Sequence, residues 1–233
     1  GILTALFIAL QIMSNHVQMS YYFLFVILFI VGAYFEDAWR NKTLPKFFKA
    51  SAVVFVAALI GVAANLSNLY HTYTYSKETM RGKSELVETG DAAKQTSSGL
   101  DRDYITNWSY GIGETWTLLV PNFKGGSSSA PLSQSETAME KANPVYSSLY
   151  NSFPQYFGDQ PWTAGPVYVG SFVLFLFVLG CFIVKGPLKW ALLGATFFSI
   201  VLAWGKNFMP LTDFFIDYIP MYNKFRADRP FLS

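Results

Sequence analysis

Residues 1–35 read GILTALFIALQIMSNHVQMSYYFLFVILFIVGAYF and contain no Asp, Glu, Lys or Arg. A helix that crosses the roughly 30 Å apolar core of a bilayer needs about 20 apolar residues, because lipid offers no partners to backbone polar groups. At about 1.5 Å per residue, this stretch is too long for one crossing, so we expect a break within it. The polar run 14–18 supplies the break, since Asn15 and Gln18 have the spacing of a capping box. The sequence therefore predicts a short first helix followed by a full span.

Three further apolar stretches predict spans at 47–66, 166–184 and 190–204. The last of them is bounded by Trp190 and Trp204, which is typical of indole rings at the two membrane interfaces. Together with the first two helices, these stretches predict an all-α polytopic membrane protein of about five transmembrane helices, the first of them truncated.

The composition agrees with this fold class and excludes others. Hydrophobic residues make up 52% of the chain and charged residues 14%, whereas an ordinary soluble domain has about 25% charged residues. Phe (22), Tyr (14) and Trp (6) are too frequent for a disordered chain or for an arm that binds nucleic acid, so we expect no nucleic-acid partner. Of the charged residues, 17 fall between positions 67 and 165. This segment therefore differs in kind from the apolar stretches around it.

The basic residues of the short loops predict the orientation. Two loops carry them: Arg40, Lys42 and Lys46 in one, Lys185 and Lys189 in the other. The positive-inside rule places both loops in the cytoplasm and hence residues 67–165 outside. The predicted organisation is transmembrane helices 1–3 in 1–66, an extracytoplasmic loop domain in 67–165, transmembrane helices 4–5 in 166–204, and an extracytoplasmic juxtamembrane amphipathic segment in 205–233.

Two carboxylates of the predicted outer loop are candidates for catalysis. Glu114 follows two glycines and precedes the apolar run 115–120, so partial burial would raise its pKa towards the range of a general acid or base at neutral pH. The alternative is a glutamate that starts a helix and interacts with the helix dipole. Asp159 lies in the turn-like run YFGDQP (156–161) and either caps that turn or faces an outer cavity. The sequence does not rank the two.

Metal ligands and disulfides are poorly supported by the sequence. His16 and His71 are the two histidines, and Cys181 is the one cysteine. We therefore predict no metal site, and the sequence names no cofactor. The histidines either cap helix ends or share a polar substrate-binding site, because the predicted topology puts both on the outer side.

Aromatic rings are dense in the outer loop, and Trp108 is among them. Such rings either form a core and an interfacial belt or line a groove that stacks on a sugar or holds a lipid head group. Trp108 is the ring that we assign to substrate binding in the second interpretation.

The end of the chain is rich in cations although the predicted topology places it outside. Its basic residues are Lys206, Lys224, Arg226 and Arg229. They either pair with nearby aspartates or bind an anion such as a lipid phosphate at the outer leaflet.

Five stretches resemble the YfhO-type bacterial multi-pass membrane proteins. They are NHVQMSYY (15–22), DYITNWSYG (103–111), PNF (121–123), GDQP (158–161) and PMYNKFR (220–226). The resemblance extends over essentially the whole chain and is most specific at YNKFR (222–226). It implies a GT-C-like glycosyltransferase in the bacterial cytoplasmic membrane, which uses a polyprenyl-phosphate-linked sugar and transfers it to an envelope glycan or lipid acceptor outside.

The resemblance also suggests roles for individual residues. Lys224 and Arg226, with Lys206 as a further candidate, would bind the carrier phosphate and stabilise the charge of the leaving group, while an outer-loop carboxylate deprotonates the acceptor. The family is longer than this chain, and its usual catalytic carboxylate would precede Gly1, so we expect an inactive fragment of a longer enzyme. The run ADRP (227–230) departs from the family pattern. The alternative function is a non-catalytic membrane scaffold or a carrier-lipid transporter with an envelope-facing binding domain.

Overall fold

The computed structural model describes residues 1–78, 100–146, 148–163 and 167–225. Within these ranges the chain is mostly helical and forms no β-strand, which confirms the predicted all-α class for this part of the protein. The α-helices are α1 Ile2–Met13, α2 Val17–Arg40, α3 Leu44–Ala63, α4 Leu66–Lys77, α5 Arg102–Thr106, α6 Glu136–Lys141, α7 Ser171–Ile183, α8 Pro187–Ala203 and α9 Met209–Tyr218.

Two of the described helices, α2 and α3, are each long and apolar enough to cross a membrane. Helix α8 and the segment Gly205–Tyr218 pass the same test together but are bent by 110°, as in a broken span or a re-entrant loop. Helices α1 and α7 are apolar but shorter. Helix α7 begins at Ser171 because Gly170 has a φ of +94°, which interrupts the predicted stretch 166–184. The count of about five spans therefore stays a prediction.

The break between the first two helices lies where the sequence predicted it, but the capping box is wrong. Asn15 has a φ of 60°, in the left-handed region that asparagine tolerates better than most residues. His16 therefore takes the N-cap position of α2, and its side chain makes no capping hydrogen bond. The Asn15 side chain instead accepts a hydrogen bond from Nδ2 of Asn68, at 3.3 Å. A backbone reversal, and not a cap, separates the two helices.

The chain packs as two compact units. The described residues of the first unit come from 1–102, 184–199 and 219–225, and those of the second from 103–183 and 200–218. In the first unit, α1 packs along α3 at Gly61, where a Cβ atom would lie 2.8 Å from both the Ala5 carbonyl oxygen and Ile8 Cγ2. Close approach at a small residue is typical of helix pairs in membranes.

The segment 219–225 packs against the beginning of α2 within the first unit. The Tyr21 hydroxyl donates a hydrogen bond to the Pro220 carbonyl oxygen at 2.7 Å. Tyr222 is 1% exposed, and its ring meets that of Tyr22 edge-on at 6.2 Å. Residues 222–225, the described part of the stretch in which the family resemblance is most specific, thus belong to a packing element.

The second unit contains short 3₁₀ helices and turns as well as α-helices. Within the predicted amphipathic segment 205–233 lies α9, which buries Thr212, Phe215 and Ile216 on one face. The Thr212 hydroxyl donates to the Gly205 carbonyl oxygen at 2.8 Å, which fixes the start of α9 to the turn before it.

Candidate functional site

Glu114 is buried in the first turn of the 3₁₀ helix Gly113–Leu118 and is 2% exposed. Its Oε2 atom accepts a hydrogen bond from the Gly111 N–H group at 2.5 Å. Its Oε1 atom accepts one from the Tyr156 hydroxyl, and the Asp159 N–H group also donates to the carboxylate. Both interpretations from the sequence apply to this residue, since it starts a helix and is buried as well.

The two carboxylates that the sequence predicted as catalytic lie together. A Cβ atom at Gly111 would overlap Oδ2 of Asp159 and lie 3.0 Å from Oε2 of Glu114. A Cβ atom at Gly158 would overlap Glu114 Oε1 and the Tyr156 hydroxyl. Only glycine therefore fits at either position, and the two glycines allow the Glu114 loop and the Asp159 turn to meet.

The surroundings of Glu114 raise the pKa of its carboxyl group. Burial raises the pKa of the Glu114 carboxyl, and the negative charge of Asp159 raises it further. The Gly111 and Asp159 N–H groups and the Lys124 ammonium lower this pKa, but the net direction is upward. Asp159 itself is exposed. A buried carboxyl with a raised pKa beside an exposed carboxylate is an arrangement suited to proton transfer.

Buried hydroxyl groups form hydrogen bonds around the Glu114 turn. The Thr117 hydroxyl donates to the Glu114 carbonyl oxygen at 2.6 Å, so its oxygen accepts from the Tyr110 hydroxyl, also at 2.6 Å. Burial raises the pKa of Tyr110, which keeps that hydroxyl protonated and able to donate. The Tyr156 hydroxyl in turn accepts from the Gln160 N–H group at 3.0 Å. The carboxylate pair is thus held by a connected set of hydrogen bonds.

The predicted phosphate ligand Lys206 lies on a turn that is joined to the same loop. The Lys206 N–H group donates to Ser109 Oγ at 2.8 Å, and Asn207 Nδ2 donates to the Tyr110 carbonyl oxygen at 3.0 Å. Trp204 Nε1 donates to Thr115 Oγ1 at 2.9 Å. The side chain of Lys206 is exposed. These bonds fix the loop 109–115 to the turn 203–207.

Trp108, the predicted stacking residue, follows α5 in this second unit and is half-buried. More exposed rings lie close to the carboxylates in the sequence: Phe157 is 63% exposed and Trp116 54% exposed. The Phe157 N–H group donates to the Lys124 carbonyl oxygen at 2.9 Å, which brings the two carboxylate-bearing segments side by side. Rings with a free face can stack on the apolar face of a sugar.

His16 and His71 belong to the first unit, and both are exposed. The hydrogen bond between Asn15 and Asn68 links the residue before His16 to the helical turn before His71. The His71 ring meets the Tyr70 ring edge-on at 5.9 Å. Among the described residues, no three of the types His, Cys, Asp and Glu form a group that could hold a metal ion, so we name no metal ligands.

The other predicted phosphate ligands are Lys224 and Arg226. Lys224 ends the 3₁₀ helix Tyr222–Lys224 in the first unit and is half-buried. Arg226 lies outside the described residues. A common phosphate site of Lys206, Lys224 and Arg226 therefore stays a prediction.

Sequence reasoning missed the roles of Tyr156 and Lys124 in this site. It interpreted Gly111 only as part of a Gly-rich turn beside Glu114 and gave no structural role to Gly158, although this glycine directly before Asp159 was visible. Paired glycines beside two carboxylates signal a close approach of two backbones. Only the tertiary structure shows that Gly111 and Gly158 lie at one contact, between the Glu114 loop and the Asp159 turn.

Comparison with known proteins adds no relative. No protein-family model matches this chain, and none of the curated proteins or solved structures does. The interpretation of the site therefore depends on its own geometry and on the sequence resemblance described above.

Proposed function

We propose that this chain is part of a GT-C-like membrane glycosyltransferase of the YfhO type. In this proposal the enzyme transfers a sugar from a polyprenyl-phosphate carrier to an envelope glycan or lipid acceptor. The reaction takes place on the outer side of the bacterial cytoplasmic membrane, where residues 67–165 lie. The observation that carries the proposal is the carboxylate pair of Glu114 and Asp159, in which one member is buried and the other is exposed.

The exposure of the two carboxylates supports different roles. Asp159 is exposed and can reach a bound acceptor, so we assign it the role of general base. Glu114 is closed in by Gly111, Tyr156 and the Asp159 backbone, and we assign it a positioning role. This sharpens the sequence prediction, which named both residues as catalytic.

The proposed reaction is a displacement at the anomeric carbon of the donor sugar. The acceptor hydroxyl gives its proton to the Asp159 carboxylate while its oxygen forms a bond to that carbon. The bond between the carbon and the phosphate oxygen breaks, and its electron pair leaves with the polyprenyl phosphate. Lys206 is exposed on the turn joined to the Glu114 loop and is suited to stabilise this charge, as the resemblance implies for Lys224 and Arg226. Trp108, His16 and His71 remain proposed contacts of the sugar or acceptor.

The test is an assay of the complete protein with a panel of polyprenyl-phosphate sugars. Since general base catalysis contributes roughly 10²–10⁴-fold, Asp159→Asn should lower kcat by at least about 100-fold. Glu140→Gln removes an exposed carboxylate of the same unit and is the matched control, for which we expect unchanged turnover. Unchanged turnover in Asp159→Asn would overturn the role of the carboxylate pair.

The phosphate ligands need a separate variant. Arg226→Ala should abolish transfer in the complete protein, and Lys206→Ala should weaken it. If both variants turn over normally, the proposed binding of the carrier phosphate is wrong even if Asp159 is essential.

The predicted side of the outer loop is tested with a single introduced cysteine. Val145 is 79% exposed, so Val145→Cys combined with Cys181→Ser offers one reactive thiol within these 233 residues, and any cysteine of the complete protein outside them is replaced as well. A membrane-impermeant maleimide added to intact cells should label it. Labelling only after the cells are opened would place this segment in the cytosol and contradict the proposal.

Binding without turnover is the outcome that favours the alternative function. A complete protein that binds polyprenyl-phosphate sugars and transfers none of them would be a carrier-lipid transporter or a scaffold.

A further inference from the structure

The 3₁₀ helix Gly113–Leu118 buries Glu114 and Thr117 together with Leu118, and several apolar side chains of this helix and the turn after it are exposed. Glu114 and Thr117 are 2% and 1% exposed, whereas Trp116 is 54% and Phe123 50% exposed. We call the exposed group the Trp116 ledge; its members are Ile112, Trp116, Leu119, Val120 and Phe123. The rings of Trp116 and Phe123 lie 6.4 Å apart and form its aromatic part. Large apolar side chains exposed this close together in the sequence are unusual on a surface that faces water.

Helix α7 of the same unit is apolar on every side. It contains no charged residue and buries none of its side chains; Phe172 is 70% and Phe182 79% exposed. A helix that is apolar all round needs an apolar environment on all its faces. Lipid supplies such an environment without a specific partner for each face.

A backbone hydrogen bond joins the ledge to the beginning of this helix. The Val169 N–H group donates to the Leu118 carbonyl oxygen at 3.2 Å, and α7 begins at Ser171. The ledge is therefore anchored next to the N-terminal end of an apolar helix. If α7 enters the membrane, that end lies at the interface, where Trp is enriched.

A charge near the ledge suits the head groups of lipids. The exposed Lys206 lies on the turn that is joined to Thr115, the residue before Trp116, by the hydrogen bond from Trp204. Lysine side chains beside an apolar surface are attracted by anionic lipid phosphates.

We propose that the Trp116 ledge lies in the head-group layer of the membrane at the N-terminal end of α7 and contacts lipid directly. The surface is a lipid-docking site that holds the Glu114 loop at the membrane. This placement does not depend on glycosyl transfer, so it stands or falls separately from the function proposed above.

The test is a depth measurement with spin labels on the complete protein. In a background that lacks Cys181 and any cysteine of the complete protein outside this chain, labels are attached at Trp116→Cys and Phe123→Cys, with Val145→Cys as the control in the same unit. The protein is placed in vesicles of phosphatidylethanolamine and phosphatidylglycerol. We expect the ratio of collisions with oxygen, which concentrates in lipid, to collisions with a water-soluble nickel chelate to be several-fold higher at 116 and 123 than at 145.

Two results would overturn the proposal. A ratio at 116 and 123 equal to that at 145 would place the ledge in water. Low collision with both reagents would mean that protein covers the ledge, as in a second copy of this chain.

A second measurement guards against misfolding of the cysteine variants. Lipids brominated in the upper acyl chain should quench the fluorescence of the unlabelled protein more strongly than that of Trp116→Phe, because the variant lacks the ring in contact with lipid. Equal quenching of the two proteins would contradict lipid contact at Trp116.

Discussion

The two compact units differ in what they bury. Among the described residues of the first unit, the buried side chains other than that of Leu100 are small or aromatic: Tyr22, Ala33, Ala38, Ala57, Ala195, Tyr222 and Phe225. All buried polar residues of the described part of the chain belong to the second unit: Thr106, Ser109, Glu114, Thr117, Gln160, Thr163 and Thr212.

This difference follows from how each unit satisfies its backbone N–H and C=O groups. The long helices of the first unit satisfy their own N–H and C=O groups, so their contacts need only close packing. The short 3₁₀ helices and turns of the second unit leave backbone groups without regular partners, and buried side chains satisfy them. We therefore expect the first unit to be sensitive to added volume and the second to lost hydrogen bonds as well.

The largest expected effect is that of Gly158→Ala. The added methyl group would overlap Glu114 Oε1 and the Tyr156 hydroxyl, so the carboxylate pair cannot form as it is. We expect the free energy of unfolding to decrease by about 3 kcal/mol. Unfolding in detergent is measured by tryptophan fluorescence. Gly180→Ala in α7 is the control, because a Cβ atom there meets nothing within 4 Å. Equal stability of Gly158→Ala and Gly180→Ala would show that the site accommodates the added methyl group.

Gly61→Ala tests the first unit in the same way. Its methyl group would lie 2.8 Å from the Ala5 carbonyl oxygen and from Ile8 Cγ2, so α1 must move away from α3. We expect a loss of about 2 kcal/mol, measured by thermal unfolding in detergent. Gly32→Ala in α2 has open space around it and should retain the stability of the unaltered protein. A stable Gly61→Ala variant would contradict close packing of α1 on α3.

Tyr156→Phe removes one hydrogen bond without adding volume. The Glu114 carboxylate then loses the hydroxyl that donates to Oε1, which should destabilise the protein by about 1.5 kcal/mol. It should also raise the pKa of Glu114 further, because that bond favours the ionised form. Infrared titration of the carboxyl band measures this pKa. Tyr146→Phe alters an exposed tyrosine of the same unit and should change neither quantity.

The pH dependence of stability is the smallest expected effect. Since burial raises the pKa of folded Glu114 above its ordinary value of 4.5, the folded state binds the proton more tightly than the unfolded state. Its contribution is fully present below about pH 4.5 and is lost as the pH rises through the folded pKa. The free energy of unfolding should therefore fall more steeply with pH in the unaltered protein than in Glu114→Gln. Parallel curves for the two proteins would show that Glu114 does not titrate in this way.

The sequence predicted the helical class and the positions of several helices because the spacing and length of apolar residues are local properties. It predicted the break at 14–18 but not its form, since a capping box and a left-handed Asn15 have the same residues. It singled out Glu114 and Asp159 from their neighbours. It could not predict that they meet, because the contact depends on two glycines and Tyr156 from separate segments.

The hydrogen bond from Tyr21 to Pro220 has a consequence for biosynthesis, since its partners lie 199 positions apart. At about 5–20 residues per second, the ribosome makes Pro220 roughly 10–40 s after Tyr21. During this interval the beginning of α2 lacks its aromatic partners Tyr222 and Phe225, which have not yet been synthesised. Completion of the first unit therefore follows the synthesis of residues 103–183 and 200–218 of the second unit, and substitutions in 219–225 should reduce the yield of inserted protein.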